Sequence, residues 1–253
     1  MERFLRGFFW AWTLLSRIPL PYGLGSGPPA AGIAVFFPIV GILFGLGAWA
    51  VYTGIRTFLP EGPARALVLV AWYLLSGGLH LDGFADTVDA WGGGGTREEV
   101  LRIMRDPHVG ALGVAGVVLL LVVKIAALWA LPSRIVGPAL VVIGATGRWA
   151  PVYAAWRYPS ARREGLGSVT REGIGVFKLV VATGVVALAS GTVAGSVGLL
   201  GSAVGMGAAI LGALAIARWL GGHTGDTYGF LVEVTEVVVL LALAGVRAPS
   251  AMH

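Results

Sequence analysis

Leu179–Ala217 reads LVVATGVVALASGTVAGSVGLLGSAVGMGAAILGALAIA, 39 consecutive residues without an Asp, Glu, Lys or Arg. About 20 apolar residues suffice to cross a bilayer. The run therefore has length for two spans, turned at the glycine-rich stretch Gly191–Gly201. A second uncharged run, Ile18–Ile55, predicts another span near Ala31–Phe58. Composition agrees: 57% of the 253 residues are hydrophobic and 12% are charged, where a soluble domain is about a quarter charged. Mean hydropathy is +0.83. The expected fold class is all-α, a polytopic membrane helix bundle forming one domain over residues 1–253. Its 40 glycines suit close helix approach in lipid.

The flanking chain supplies the other elements. Residues 1–17 set Arg3, Arg6 and Arg17 among Phe4, Leu5, Phe8, Phe9, Trp10, Trp12 and Leu14. That pattern resembles an interfacial helix or the start of the first span. The Pro- and Gly-rich segment Pro19–Pro29 breaks any helix. Span two is expected at about Pro63–Leu81. After the flexible Gly92–Gly95, Thr96-Arg-Glu-Glu99 reads as a capping box. It opens a short polar helix through Arg105, ended by Asp106-Pro107. Span three is expected at Val109–Leu131, with Lys124 snorkelling, and span four at Ile135–Trp156, with Arg148 inside it. The polar loop Arg157–Glu172 precedes the long uncharged run, and Gly221–Thr227 follows it. The last span, Leu231–Gly245, opens with Glu233 and Glu236 at i, i+3. The total is seven spans, with six as the second count.

Charge sets the orientation. Lys and Arg number 18 against 13 Asp and Glu, a net +5. With the N-terminus inside, eleven arginines fall in cytoplasmic segments: Arg3, Arg6, Arg17, Arg97, Arg102, Arg105, Arg157, Arg162, Arg163, Arg171 and Arg218. Only Arg56, Arg65, Arg134 and Arg247 fall opposite, which satisfies the positive-inside rule. The basic excess thus belongs to loops of a multi-pass protein of the cell (inner) membrane, and no nucleic-acid partner is expected. The absence of cysteine excludes disulfides, zinc–thiolate sites and thiol nucleophiles. No removable signal peptide is expected, because no small-residue cleavage site follows a short apolar core.

Chemistry concentrates in Gly78-Leu-His80-Leu-Asp82-Gly-Phe-Ala-Asp86-Thr-Val-Asp89. On a helix, Asp82, Asp86 and Asp89 stack along one face. Crowded anions raise one another's pKa, and a hard divalent cation, Mg²⁺ or alternatively Mn²⁺, relieves that repulsion. A solvated acidic helix end is the plainer reading; the apolar surroundings favour the metal. The orientation places Asp226 on the same cytoplasmic face, so Asp82, Asp86, Asp89 and Asp226 are the candidate metal ligands and catalytic groups. Arg102, Arg105, Arg148, Arg162 and Arg163 suit bidentate binding of phosphate. Arg148, costly inside a span unless paired, is expected to pair with the acidic cluster. His80 is either a helix-end polar contact or a substrate contact, and Glu233 and Glu236 are either paired structurally or touch substrate. Carboxylates, divalent metal and arginines together suit transfer of a phosphorylated group. The run Gly92–Gly95 lacks the Lys-Ser/Thr ending of a phosphate loop and reads as a hinge.

Over nearly its whole length the chain resembles the membrane-integral cobalamin synthases, the adenosylcobinamide-GDP ribazoletransferases. The resemblance rests on Ser16-Arg17-Ile18-Pro19, Phe37-Pro38-Ile39-Val40-Gly41, the Gly78–Asp89 motif and Arg102-Ile-Met-Arg105-Asp106. It continues through Arg162-Arg-Glu-Gly165-Leu-Gly167, Gly222-His-Thr-Gly-Asp226-Thr227 and the Glu233/Glu236 pair. His223 stands where relatives are expected to have Gln. The resemblance implies Mg²⁺-dependent joining of adenosylcobinamide-GDP to the 3′-hydroxyl of α-ribazole or its 5′-phosphate. The products would be adenosylcobalamin, or its 5′-phosphate, and GMP. It also implies that Asp82, Asp86 and Asp226 bind metal, Asp89 is a ligand or base, and the arginines hold phosphate. A homo-oligomer is left open. CDP-alcohol phosphotransferases acting on lipids are similar, but Asp86 stands where their motif has Arg. A transporter, the third alternative, would carry its acids near the bilayer midplane.

Overall fold

The computed structural model describes residues 2–21, 24, 31–163 and 165–246. Most of the Pro19–Pro29 segment, Glu164 and Arg247 lie outside these residues. The amphipathic start forms α1 (Glu2–Leu15), and a 3₁₀ turn, Ile33–Phe36, runs into α2 (Phe37–Ile55). α1 lays Phe8 and Trp12 against Phe36 and Phe44, with Ala11 and Leu15 buried.

α3 (Glu61–Ser76) stops five residues before the expected end of span two. The reason is Gly77 and Gly78, both left-handed with φ of 63° and 72°, a conformation that costs glycine little. They turn α4 (Leu79–Gly93) by 89° from α3. α4 then lies against α10 (Gly225–Gly245) and α6 (Ala111–Ala130). The capping box opens α5 (Arg97–Ile103) as the sequence predicts, with the Thr96 amide donating to Glu99 at 2.7 Å.

α7 (Ser133–Arg157) is the axis of the bundle, buried without a break from Val136 to Val152. It packs on α2, α10 and α9 (Val176–Leu220). Against α2 the approach is backbone to backbone: a Cβ on Gly41 would lie 2.0 Å from the Gly144 oxygen, and one on Gly45 2.4 Å from the Val141 Cα. Small residues four apart permit such contacts between helices in lipid. α8 (Leu166–Arg171) is a short helix in the polar loop.

Treated as one rod, 45-residue α9 would measure about 67 Å at 1.5 Å per residue, twice a bilayer core. It is instead a hairpin. Gly195 breaks the helix with φ 59° and ψ −143°. The hydroxyls of Ser190 and Ser202 meet at 2.7 Å, and Thr146 of α7 donates to Ser202 at 3.0 Å. The fold-back falls inside the Gly191–Gly201 stretch expected to turn. Five helices are long and apolar enough to cross a membrane, and the bent α3–α4 pair makes a sixth if it counts as one span. The expected seven is not reached by that count; it requires each limb of α9 and the bent pair all to cross.

At the end of the bundle away from α4's acids, Arg65 donates to the carbonyls of Leu128 and Trp129 at 2.6 and 2.8 Å, closing the otherwise unpaired end of α6. Glu61 gathers Arg56, Arg65 and Ser133 there.

Candidate active site

The site forms where α4 crosses α10. Glycines set the distance: a Cβ on Gly83 would lie 2.7 Å from the Asp226 oxygen, and one on Gly229 3.0 Å from the His80 oxygen. Beside them Phe84 stacks on Phe230 at 5.3 Å. This crossing opens Asp82 and Asp226, 144 positions apart in the chain, onto one cavity of about 520 Å³ that His80 and Tyr228 also line.

Loops hold Asp226 in place. Thr224 caps α10 in a reciprocal pair with Thr227 and donates to Asp226 at 3.3 Å. A parallel bridge joins Ser160 to His223, with Ala161 donating to the His223 oxygen at 2.8 Å. That bridge brings Arg162 to 3.2 Å from Asp226. Arg97 ties α5 to the same loops by donating to Leu220 and Ala161 at 2.7 and 2.9 Å; sequence reading missed this role. Burial lowers the His223 pKa to about 4, so a neutral imidazole sits between Tyr158 and Tyr228 as scaffold.

The four expected acids divide. Asp86 is pushed up to about 6, first by burial and then by the charges of Asp82, Asp226 and Asp89. Such a shift marks carboxylates gathered without a counter-cation. Asp89 is occupied otherwise: its two oxygens accept the amides of Gly110 and Gly113, both at 2.7 Å, at the positive N-terminal end of α6. Among the described residues no three His, Cys, Asp or Glu side chains converge closely enough to hold a metal as they stand. The donor chemistry of Asp82, Asp86 and Asp226, all hard oxygens short of positive charge, still suits Mg²⁺ or Mn²⁺.

Arg148, Glu233 and Glu236 lie elsewhere, fully buried in the bundle. Arg148 donates to Glu236 rather than to the aspartates, and its guanidinium lies 5.0 Å over the Trp72 ring. Lys124 does not snorkel: 1% exposed, it reaches Glu233 at 2.5 Å and Glu236 at 2.6 Å. Tyr73 donates to Glu233 at 3.0 Å and Trp72 to Glu236 at 3.2 Å. Two cations thus face two anions across α3, α6, α7 and α10, and the pairing offsets burial that neither sign alone would tolerate. None of the three lines the cavity shared by Asp82 and Asp226. Arg102 and Arg105, at the end of α5, are exposed.

Fold and site together define a class: a polytopic helical membrane protein with carboxylates and a guanidinium collected at one end of the bundle. The family model described as cobalamin-5-phosphate synthase matches residues 7–244. A Pseudomonas entomophila adenosylcobinamide-GDP ribazoletransferase is 40% identical over 249 residues, covering 93% of this chain and 98% of its own. The Pseudomonas putida F1 protein of that name is 38% identical with the same coverage, and that of Brevibacillus brevis is 33% identical over 95% of this chain. No solved structure matches. The chain belongs to the cobalamin-5-phosphate synthase family and is a transferase of cobalamin biosynthesis.

Proposed function

We propose that this chain joins adenosylcobinamide-GDP to the 3′-hydroxyl of α-ribazole, or of its 5′-phosphate, at a Mg²⁺ site facing the cytoplasm. The names of its relatives support the substrates. The observation that carries the residue assignment is the one cavity shared by Asp82 and Asp226, with Arg162 paired to Asp226. The acceptor oxygen bonds to the phosphorus that bears the cobinamide, the bond from that phosphorus to GMP breaks, and the hydroxyl proton passes to a carboxylate of the cluster. Asp82, Asp86 and Asp226 would hold the ion, which when bound neutralises the diphosphate. Arg162 contributes a forked donor to a phosphate, and exposed Arg102 and Arg105 attract the anionic substrate. Asp89 fixes α4 on α6 and so aims the other acids.

A transport pathway is disfavoured by the Lys124–Glu233–Glu236–Arg148 network, whose members are paired and enclosed. The test is incubation of membranes holding the protein with adenosylcobinamide-GDP and α-ribazole, with and without Mg²⁺. Cobalamin should form only with the ion. Its absence in both arms would overturn the reading.

A further inference from the structure

We propose that Asp82 stands at the seam between two substrate subsites: the closed cavity takes the nucleoside acceptor, and an open groove on the other face of α4 takes the large, GDP-bearing ring donor. This rests on the transfer reaction proposed above.

Asp82 lines two spaces. The first is the cavity of about 520 Å³ that it shares with Asp226. The second is a wider groove of about 1090 Å³ bounded by Arg17, Gly78, Val114 and Val118. At about 100° per residue, His80 and Gly83 turn toward the cavity while Leu81 and Ala85 turn toward the groove; Asp82 falls between these faces.

Size separates the two ligands. A macrocycle carrying a nucleotide has no room in the closed cavity, whereas a base with one ribose does. The walls agree with size. Apolar Leu15, Phe37 and Pro151 offer a flat base a surface to pack on. Tyr228 lines the same cavity, is 5% exposed, and its hydroxyl has no hydrogen-bond partner among the described residues. A buried hydroxyl left unpaired is costly, and its ring is fixed by stacking on His223 at 5.4 Å. A hydroxyl-bearing ligand supplies the missing partner. The groove presents half-exposed valines to an amphipathic ring and the Arg17 cation to a phosphate. Phosphoryl transfer needs acceptor and leaving group roughly in line on opposite sides of phosphorus, an arrangement that subsites on two faces of α4 provide.

The experiment uses the full chain in lipid nanodiscs and measures α-ribazole binding by titration calorimetry without donor, then both KM values at saturating Mg²⁺. Tyr228→Phe should weaken α-ribazole about 3–10-fold, the worth of one hydrogen bond, and leave the donor KM unchanged. Leu14→Trp, narrowing the same cavity, should act in the same direction. Val118→Trp and Val114→Trp, on an exposed face, should raise the donor KM at least as much and leave α-ribazole affinity unchanged. The assignment is overturned if these effects swap substrates, or if neither cavity variant alters α-ribazole binding. A wild-type chain that forms no cobalamin would instead overturn the reaction itself.

Discussion

The carbonyl oxygen of Asp226 lies where a Cβ on Gly83 would come within 2.7 Å of it, so α4 and α10 touch backbone to backbone where their acids meet. Neither backbone can move aside as a flexible side chain would. The glycine is therefore a distance constraint on the site.

Gly83→Ala should push the two helices apart and separate Asp82 from Asp226. A misplacement of about 1 Å can cost about 100-fold in rate. Cobalamin formation by this variant should fall on that scale, while Gly184→Ala and Gly207→Ala, whose Cβ would meet open space, should retain activity. Full activity in Gly83→Ala would show that the contact does not set the geometry.

Asp86→Ala and Asp226→Ala should each abolish turnover and weaken Mg²⁺ binding. The double variant should be little worse than either, because groups acting on one centre are not additive. Independent, additive losses in a Mg²⁺ titration would mean two separate sites. Asp82→Asn should likewise remove most Mg²⁺ affinity.

Asp89 should behave differently. Asp89→Asn keeps one acceptor but loses the second and the charge facing α6, a loss of about 1–2 kcal/mol for a capping interaction. Thermal unfolding should shift accordingly while Mg²⁺ affinity stays near wild type. A loss of Mg²⁺ affinity as large as that of Asp82→Asn would make Asp89 a ligand.

Lys124→Met strands Glu233 and Glu236 in the bundle with Arg148 as their remaining cation. Breaking one member of a buried ion network costs about 3–5 kcal/mol, read as an earlier unfolding midpoint in detergent. The KM for the corrinoid donor should not change in the folded fraction. A raised KM with unchanged stability would put these residues in the substrate site.

Cysteines placed at Thr96 and Ser168, both at the Asp226 end, should be labelled only from the cytoplasm. One at Pro132, beside the Glu61–Ser133 cluster, should be labelled only from outside. The natural chain has no cysteine, so no background arises. Outside labelling of Ser168 would break the single-face arrangement.

The sequence by itself determined the class of fold, because apolar runs need no partner to declare that they avoid water. It also located the chain reversals that depend on glycine: the turn near Gly195 and the glycine pair before the acidic helix. Asp82, Asp86 and Asp226 were legible as acids too costly to sit idle among apolar neighbours. Tertiary structure alone decided how charges are paired. Arg148 goes to Glu236 rather than to the aspartates, and Lys124 is locked between two glutamates, because their helices pack side by side and spacing along the chain carries no record of that. Asp89 looked equivalent to Asp82 and Asp86 on its helical face; only the approach of α6 gives it two amides to accept. The unpaired hydroxyl of Tyr228 is likewise invisible in sequence, since a missing partner is a property of the packed interior.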